Sequence, residues 1–377
     1  MTDSAPVQNT RAAIAAPGSQ SEPHSLPQAD TQQHSQQRHA AHSPFLHSGN
    51  RSERWLNQQL LALLPGSLLS LWFFGPGVAI NIAITMTVSV LADKLLGGIK
   101  PTHRTRLDRN LLIMAIVLGL AIPPDTSIVL PIIGALVMVA LGKHVWGGTG
   151  QYPFHPAMVA YLALLLLFTE QLQAWPVATG LLQFDWSTLA DKLLLPGARP
   201  LADGLSQATP LVRLHEQFDL TTSQNLLIAA GDLITAAGLP WLLISFGFLS
   251  GGLYLCYCRA IDWHTPAATL ATLLLCCFLS TGFLSLPAKL LGLHYFAGHL
   301  LLVSFWVTTE FSSSASTTRG RILFGVVFGG SVFLIRHGGS VIDGLASAVI
   351  IANLMVPLLD RNVRVTPPTS NTRADDT

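Results

Sequence analysis

A polar stretch between two apolar halves of the chain concentrates small and hydroxyl-bearing residues around one threonine. The stretch is Asp203-Gly204-Leu205-Ser206-Gln207-Ala208-Thr209-Pro210-Leu211. Proline disfavours helical geometry for the residue before it, so we expect the Thr209 hydroxyl on extended or turn backbone. On composition alone, such a cluster is typical of an ordinary loop between apolar segments.

The cysteines do not indicate a metal-based redox centre. They lie in or beside apolar segments as a C-x-C pair and an adjacent C-C pair, at Cys256, Cys258, Cys276 and Cys277. Zinc and iron–sulfur sites usually need C-x₂-C or longer spacing. We interpret these cysteines as small core or lipid-facing residues. Since no cysteine or histidine pattern in the sequence offers an iron–sulfur or haem site, an electron carrier held by this chain would be organic and anchored through another residue.

Two interruptions of the apolar pattern could line a site. Residues 143–158 contain Gly147, Gly148 and Gly150, which permit backbone conformations and close approaches that other residues exclude. The alternative for this stretch is an ordinary turn between helices. The second interruption, at the end of the eighth apolar segment, contains Glu310, and a carboxylate at membrane depth is a functional candidate because its burial is costly.

Structural interpretations compete with functional ones at several charged and aromatic positions. For Glu310, the simpler interpretation is an interfacial ion pair with Arg319 or Arg321. Asp108 would likewise form a cytoplasmic ion pair with its neighbours Arg106 and Arg109. At the two tryptophans of the long polar loop we expect interfacial anchoring; they are Trp175 and Trp186.

The composition is that of an integral membrane protein. Of 377 residues, 50% are hydrophobic and 11% are charged, whereas soluble domains carry about 25% charged residues. The net charge of +1 gives no reason to expect a nucleic-acid partner. We predict an all-α polytopic protein with about ten transmembrane helices in the lipid bilayer and a long extracytoplasmic loop between helices 5 and 6. The apolar segments lie near residues 55–74, 77–93, 111–123, 127–142, 157–173, 240–257, 265–284, 294–309, 322–336 and 340–359, with 226–238 as an additional re-entrant or interfacial segment.

These segments divide the chain into five regions. We predict a disordered tail at 1–44, helices 1–5 at 45–173, the extracytoplasmic loop at 174–239, helices 6–10 at 240–360 and a second tail at 361–377. Lysine and arginine accumulate on the cytoplasmic side of membrane proteins. With the N-terminus inside, the inner side holds Arg51, Arg54, Lys94, Lys100, Arg104, Arg106, Arg109, Lys143, Arg259, Arg319, Arg321, Arg361 and Arg364, and the short outer loops hold Lys289 and Arg336. This asymmetry predicts cytoplasmic termini and a Thr209 loop on the outer face.

The polar stretch resembles the flavinylation motif of the NqrB/RnfD family, membrane subunits of redox-driven ion pumps. The motif reads Asp-Gly-x-Ser/Thr-x-Ala-Thr, and its fixed positions correspond to Asp203, Gly204, Ser206, Ala208 and Thr209. The resemblance implies that a flavin transferase joins the phosphate of FMN to the Thr209 hydroxyl. The isoalloxazine ring would stay free to stack and to accept electrons.

The resemblance spans about residues 43–364, with several further motifs in family order. The glycine-rich stretch is similar to Gly-Gly-x-Gly-Gln-Asn-Pro-Phe-Asn-Pro-Ala-Met, but Tyr152 and His155 replace the two asparagines. Glu310 and Phe311 replace an Asp-Pro pair of the family. These departures all fall at the predicted inner face.

What the resemblance implies is a flavin-carrying subunit in a bacterial inner-membrane complex, with the Thr209 loop in the periplasm. The complex would contain RnfA, RnfB, RnfC, RnfE and RnfG-like subunits and couple NADH–ferredoxin electron exchange to Na⁺ or H⁺ movement. A second, non-covalent flavin such as riboflavin would lie near the inner-face glycines and Glu310. The alternatives are a permease or ion channel without redox chemistry, and a degenerate scaffold subunit of the same complex.

Overall fold

The computed structural model describes most of the apolar part of the chain. It covers residues 49–98, 108–176, 178, 180, 206–208, 238–281, 295–296, 298–338 and 344–361, with the backbone alone for 49–53, 206–208, 280–281 and 337–338. Most of the predicted tails and of the predicted 174–239 loop therefore lies outside the described residues. The chain divides into two units, Met1–Arg51 and Ser52–Thr377, and every side chain discussed below belongs to the second.

The described residues are almost entirely helical. In chain order, the elements are α1 (Gly49–Phe74), α2 (Gly77–Gly98), α3 (Arg109–Ala121), α4 (Val129–Val137) with a π-helical continuation (Met138–His144), α5 (Pro156–Leu167), α6 (Thr169–Gln173), β1 (Ala174–Pro176), β2 (Ser206–Ala208), α7 (Leu239–Tyr257), α8 (His264–Thr281), α9 (Leu300–Leu302) with a π-helical continuation (Val303–Val307), α10 (Thr318–Gly338) and α11 (Leu345–Leu359).

Each of the main predicted apolar segments overlaps a helix of this series. The predicted segment 157–173 corresponds to two helices, because the backbone leaves helical geometry at Phe168 and separates α5 from α6. Within the part of the chain that the structure describes, three helices are long and apolar enough to cross a membrane, namely Gly77–Gly98, Leu239–Tyr257 and the Thr318–Arg336 part of α10. The protein is thus a mostly helical membrane protein, and the count of ten transmembrane helices stays a prediction.

Local sequence signals explain where α3 begins and ends. Asp108 caps its N-terminus, where the carboxylate accepts hydrogen bonds from two backbone N–H groups of the first turn. The helix ends at Ile122, which is extended because a proline follows. Asn81 of α2 then donates to the carbonyls of Ile122 and Pro123, at 3.1 and 3.0 Å, so the buried end of α3 is hydrogen-bonded to its neighbour.

The helices pack so that the candidate functional residues lie close together at the helix ends. Helix α2 packs on α3 and α4, α5 packs on α11, and α10 packs on both α8 and α11. The end of α1, strand β1 and the starts of α7 and α9 meet at the predicted outer face. At the predicted inner face, the loop after α4 meets the loop before α10. These two groups of ends carry the candidate sites.

Candidate functional site

Three consecutive residues of the predicted flavin-attachment motif, Ser206–Ala208, form strand β2. This strand pairs antiparallel with β1, with Ala208 opposite Ala174 and Ser206 opposite Pro176. The backbone that leads to the predicted attachment residue is therefore extended and hydrogen-bonded to the strand that follows α6. The other motif residues lie outside the described part of the chain, at Asp203, Gly204 and Thr209.

A cluster of four aromatic rings lies at β1. Trp175 packs against Phe74, Trp241 and His299, with ring centroids 5.3, 5.0 and 5.5 Å away. Trp175 is only 7% exposed. The prediction of interfacial anchoring is therefore wrong for Trp175, since its ring faces other rings and not the membrane surface. Trp186 lies outside the described residues.

At the predicted inner face, Glu310 is buried and receives several hydrogen bonds. Its Oε1 accepts from the Tyr152 hydroxyl at 2.8 Å and from Asn110 Nδ2 at 3.4 Å. Its Oε2 accepts from the backbone N–H groups of Ser312 and Ser313 at 3.0 and 2.9 Å, and from the Ser313 hydroxyl at 3.0 Å. Burial raises the pKa of Glu310 above its ordinary value, and these hydrogen bonds oppose that shift.

The predicted ion pair of Glu310 with Arg319 or Arg321 is wrong. Arg321 instead bonds to the Asp262 carboxylate and, through Nε, to the Ala315 carbonyl at 3.2 Å. The donors to Glu310 are neutral, and they come from Tyr152, Asn110 and the two serines that follow it in its own turn. Residues 310–313 thus form a turn closed by their own carboxylate.

The residues that depart from the family signature lie close together. Tyr152 is 2% exposed, and its hydroxyl donates to Glu310 and accepts from Asn110 Nδ2 at 2.9 Å. Asn353 of α11, with its amide oriented to satisfy both neighbours, donates to the Ser313 carbonyl at 3.1 Å and accepts from the backbone N–H of His155 at 3.0 Å. Three of the departures, Tyr152, His155 and Glu310, therefore belong to one hydrogen-bonded junction between two loops and α11.

Next to this junction, a buried lysine bridges two carboxylates. Lys143 Nζ lies 2.8 Å from Asp93 and 2.9 Å from Asp108, and Lys143 is 5% exposed. His144 Nε2 is 2.8 Å from the same Asp93 oxygen. Thr149 donates to Asp108 at 2.5 Å. The π-helical turn after α4 brings two consecutive basic residues, Lys143 and His144, onto this charged group.

Asp108 forms an ion pair with Lys143, which the sequence analysis did not predict. Of the two arginines predicted as its partners, Arg106 lies outside the described residues, and the pairing with Arg109 stays a prediction. Burial raises the pKa of Asp108, but the Lys143 ammonium and the hydrogen bonds from Thr149, Lys143 and Leu111 outweigh it, so the pKa lies below its ordinary value. The carboxylate is thus held ionised by a partner 35 positions away in the chain. Asp108 joins α3 to the turn after α4.

The glycines of the inner loop allow backbone conformations with positive φ angles. Gly147, Gly148 and Gly150 have φ values of 106°, 109° and 88°, which side-chain-bearing residues rarely adopt. A Cβ atom at Gly148 or Gly150 would meet nothing within 4 Å. Their conformation alone therefore explains the three glycines in this structure. Their predicted role at a second flavin stays a prediction.

One polar contact has no counterpart among the sequence-based predictions. Asp360, which follows α11, accepts hydrogen bonds from the backbone and hydroxyl of Ser316 at 2.8 and 2.9 Å and from the Thr317 hydroxyl at 2.9 Å. Burial raises the pKa of Asp360, but the hydrogen bonds from Ser316 and Thr317 together outweigh it, so the pKa lies below its ordinary value. The Ser-Thr-Thr run that leads into α10 signals a helix start, but no local pattern identifies the distant carboxylate.

Known proteins resemble this chain over nearly its whole length. The model of the NQR2, RnfD, RnfE family matches residues 39–367. Three similar proteins each carry the description of a subunit of an ion-translocating oxidoreductase complex. The one from Pectobacterium atrosepticum is 33% identical over 339 residues, covering 85% of this chain and 95% of its own. The one from Vibrio vulnificus is 34% identical over 341 residues, covering 85% and 96%.

The third relative, from Aeromonas hydrophila, is 32% identical over 345 residues and covers 86% of this chain and 96% of its own. The region that the family model matches includes both loops of the inner junction, the two strands and the attachment motif. It begins ahead of α1 and ends beyond α11. Because the family model covers far more than half of the sequence, this chain belongs to the NQR2, RnfD, RnfE family.

Proposed function

We propose that this chain is a flavin-carrying membrane subunit of an ion-translocating oxidoreductase complex, with FMN joined through its phosphate to Thr209. The observation that carries the proposal is the complete attachment motif, set in a chain that belongs to the family over residues 39–367. The bound flavin would supply the redox chemistry, and the protein would supply its position and surroundings.

The described residues around the motif suit a tethered flavin. Ser206 and Ala208 lie on extended backbone paired with β1, so the residue before the proposed phosphate ester is paired with a neighbouring strand. The buried rings around Trp175 border the same strand. A threonine hydroxyl is a sufficient tether, because the ester uses the phosphate and leaves the isoalloxazine ring unmodified.

The proposed complex couples electron exchange between NADH and ferredoxin to Na⁺ or H⁺ movement. Its other members would be RnfA, RnfB, RnfC, RnfE and RnfG-like subunits, and a flavin transferase would attach the FMN. The distribution of lysine and arginine supports cytoplasmic termini and a periplasmic Thr209 loop in a bacterial inner membrane. The names of the relatives, which denote one component of an ion-translocating oxidoreductase complex, support membership in such an assembly.

The proposed second, non-covalent flavin near the inner junction would meet polar groups that already have hydrogen-bond partners. The oxygens of Glu310 and Tyr152 are already engaged with one another and with Asn110, Ser312 and Ser313. A flavin that used these oxygens would have to displace the contacts.

Flavin fluorescence of the denatured protein tests the proposed attachment. The chain is produced in a host with a flavin transferase and resolved on a denaturing gel, beside Thr209→Ala and Thr221→Ala. Thr221 belongs to the same polar loop but lies outside the motif. We expect a fluorescent band for the wild type and for Thr221→Ala and a dark band for Thr209→Ala, since only the last lacks the ester oxygen.

A dark wild-type band, with a known family member fluorescent in the same host, would reject the covalent flavin. The scaffold interpretation or the permease interpretation would then replace it. A fluorescent Thr209→Ala band would show that the flavin is attached to another residue, and the protein would still be a flavoprotein.

A further inference from the structure

Three arginines with exposed side chains lie at the predicted inner face. Arg54 lies near the start of α1, Arg259 follows α7, and Arg319 lies in the first turn of α10. Among the residues that the structure describes, no carboxylate forms an ion pair with any of the three. These arginines, called the basic rim below, therefore carry positive charge that the described part of the chain leaves uncompensated.

Two contacts bring the three elements of the basic rim together. The Trp55 indole N–H donates to the Ala260 carbonyl, so the start of α1 contacts the turn that contains Arg259. Arg321 of α10 bonds to Asp262 in the same turn. This second contact also occupies the Asp262 carboxylate, so the carboxylate nearest to Arg259 along the chain is already engaged.

The exposed apolar faces of α7 and α8 end beside the basic rim. On α7, Phe246, Leu253 and Tyr257 are exposed and lie on one side of the helix, because they are seven and four positions apart. Trp263, immediately before α8, and Leu274 are exposed and three helical turns apart. Helix α7 is long and apolar enough to cross a membrane, so its exposed face is suited to contact with lipid. At the rim, the two faces end in Tyr257 and Trp263, which are 87% and 61% exposed.

We propose that the basic rim and the apolar faces of α7 and α8 form a binding site for an anionic phospholipid. The phosphate of the lipid lies at the arginines, and its acyl chains lie along the two helices. Arginine suits this role because its planar guanidinium group binds phosphate oxygens in pairs. The site does not depend on the proposed attachment of FMN to Thr209.

The order of side chains along this surface favours a lipid over other anionic partners. Apolar residues, then aromatic rings and then cations follow one another, as do the acyl, interfacial and headgroup layers of a membrane. A soluble anion would use the arginines alone, and an acidic protein surface would leave the apolar faces uncovered. Basic residues at the cytoplasmic ends of membrane helices attract anionic headgroups.

The backbone at Arg259 makes this residue the best one to test. Its φ of 53° lies in the left-handed region that favours glycine. Its N–H bonds to the Cys256 carbonyl at 3.1 Å, and that of Ala260 bonds to the Leu255 carbonyl at 2.9 Å. Glycine is the usual residue at this position of such a helix end. The backbone therefore gives no reason for an arginine, and Arg259→Gly removes the charge while relieving the strain.

The experiment measures lipid binding to the full-length protein in detergent micelles. Phosphatidylglycerol labelled at the end of one acyl chain is present at a trace mole fraction, and its fluorescence anisotropy reports binding. Unlabelled phosphatidylglycerol, phosphatidylcholine and inorganic phosphate are added separately as competitors. The variants are Arg259→Gly, Arg259→Lys and the control Lys94→Gln, which removes an exposed cation at the end of α2, outside the rim.

We expect phosphatidylglycerol to displace the probe at a severalfold lower mole fraction than phosphatidylcholine, and inorganic phosphate to leave the probe bound. Arg259→Gly should bind the probe about fivefold more weakly, the contribution expected of one basic residue at an anionic headgroup, without melting at a lower temperature than the wild type. Arg259→Lys should retain most of the affinity because it keeps the charge, and Lys94→Gln should bind as the wild type does.

Equal displacement by the two lipids, or wild-type affinity in Arg259→Gly, would overturn the proposal and leave the basic rim to an acidic protein surface. Displacement by inorganic phosphate would overturn it in favour of a soluble anion. If Arg259→Gly does not accumulate, Arg319→Gln takes its place, and wild-type affinity in that variant overturns the proposal. Protein without covalent flavin should give the same results, so a failure of the proposed function is recognised separately by the dark band on the denaturing gel.

Discussion

Tyr152 and Glu310 show how this chain differs from its family signature at the level of single residues. The two replacements are directly hydrogen-bonded, although they are 158 positions apart. Glutamate is one methylene longer than aspartate, and tyrosine carries its hydroxyl on a rigid ring beyond the reach of asparagine. The longer side chains fill the junction and satisfy one another, so the departures maintain a polar contact between two loops.

Removing the hydroxyl of Tyr152 tests the strength of this contact. In Tyr152→Phe, Glu310 Oε1 keeps only the 3.4 Å contact with Asn110. A buried carboxylate deprived of a hydrogen bond costs about 1–3 kcal/mol, so we expect Tyr152→Phe to unfold at a lower temperature in detergent. The matched control is Tyr257→Phe, because Tyr257 is 87% exposed. Equal melting temperatures for the two variants would contradict a stabilising Tyr152–Glu310 bond.

Lys143 is the second residue whose role is set by distant partners. Lys143→Met keeps most of the side-chain volume but leaves Asp93 and Asp108 without their shared cation. Breaking a buried ion pair by removing one partner costs about 3–5 kcal/mol, and we expect a loss near the lower value because both carboxylates retain some solvent contact. Chemical unfolding in detergent micelles measures it.

The control for Lys143 is Lys94→Met, since Lys94 is exposed and adjacent to Asp93 in the chain. The double variant Lys143→Met/Asp108→Asn should recover part of the loss, because it removes one of the two unpaired charges. If Lys143→Met proves no more destabilised than Lys94→Met, the two ion pairs contribute little to the fold.

At the scale of helices, both inner loops begin where an α-helix continues as a π-helix. The backbone N–H of Val145 bonds to the Ala140 carbonyl, and that of Thr308 bonds to the Val303 carbonyl, each at 3.0 Å and five residues back. Such wider turns occur often at functional sites. Here the first one ends in Lys143 and His144 and the second leads to Glu310, so each delivers a polar group to the inner face.

Close approach of α1 and α7 depends on a glycine. A Cβ atom at Gly251 would lie 2.0 Å from the Ala62 carbonyl oxygen, which belongs to backbone and cannot rotate away. We expect Gly251→Ala to force the two helices apart and to destabilise the protein by about 1–3 kcal/mol, the usual cost of overpacking. Thermal unfolding of the purified variant tests this expectation.

Gly330 provides the matched control within α10. Nothing lies within 4 Å of a Cβ atom placed there, and glycine inside a helix costs about 0.5–1 kcal/mol relative to alanine. Gly330→Ala should therefore stabilise the protein slightly. A Gly251→Ala variant as stable as the wild type would contradict the close approach of α1 and α7. A destabilised Gly330→Ala variant would contradict the open space beside α10 at that position.

For the whole molecule, the distribution of basic residues predicts the orientation in the membrane. Alkaline phosphatase is active only outside the cytoplasm, so we expect an active enzyme when it is fused after Thr221 and an inactive one when it is fused after Thr377. A green fluorescent protein fused at the same two positions should give the opposite pattern. Active phosphatase at Thr377 would reverse the predicted orientation and place the attachment motif in the cytoplasm.

Much of the architecture follows from short-range patterns in the sequence. Apolar runs of helical length predict most of the helices to within a few residues, because a chain in lipid must satisfy its backbone polar groups within each segment. The attachment motif is also a local pattern of seven residues, and family membership follows from it together with the motifs around it. Proline and the residue before it account for the end of α3.

The tertiary structure alone decided which polar groups meet. Lys143 and Asp93 are 50 positions apart, and Asp360 and Ser316 are 44 apart, so no local pattern connects them. The sequence suggests nearby arginines as partners for Asp108 and Glu310, because a sequence contains only the separation of residues along the chain and not their distance in space. A membrane-surface position is predicted for Trp175 for the same reason, since the rings that bury it come from three other elements. Helix packing brings these groups together in space, and burial then favours the pairs that satisfy each other's hydrogen bonds and charges.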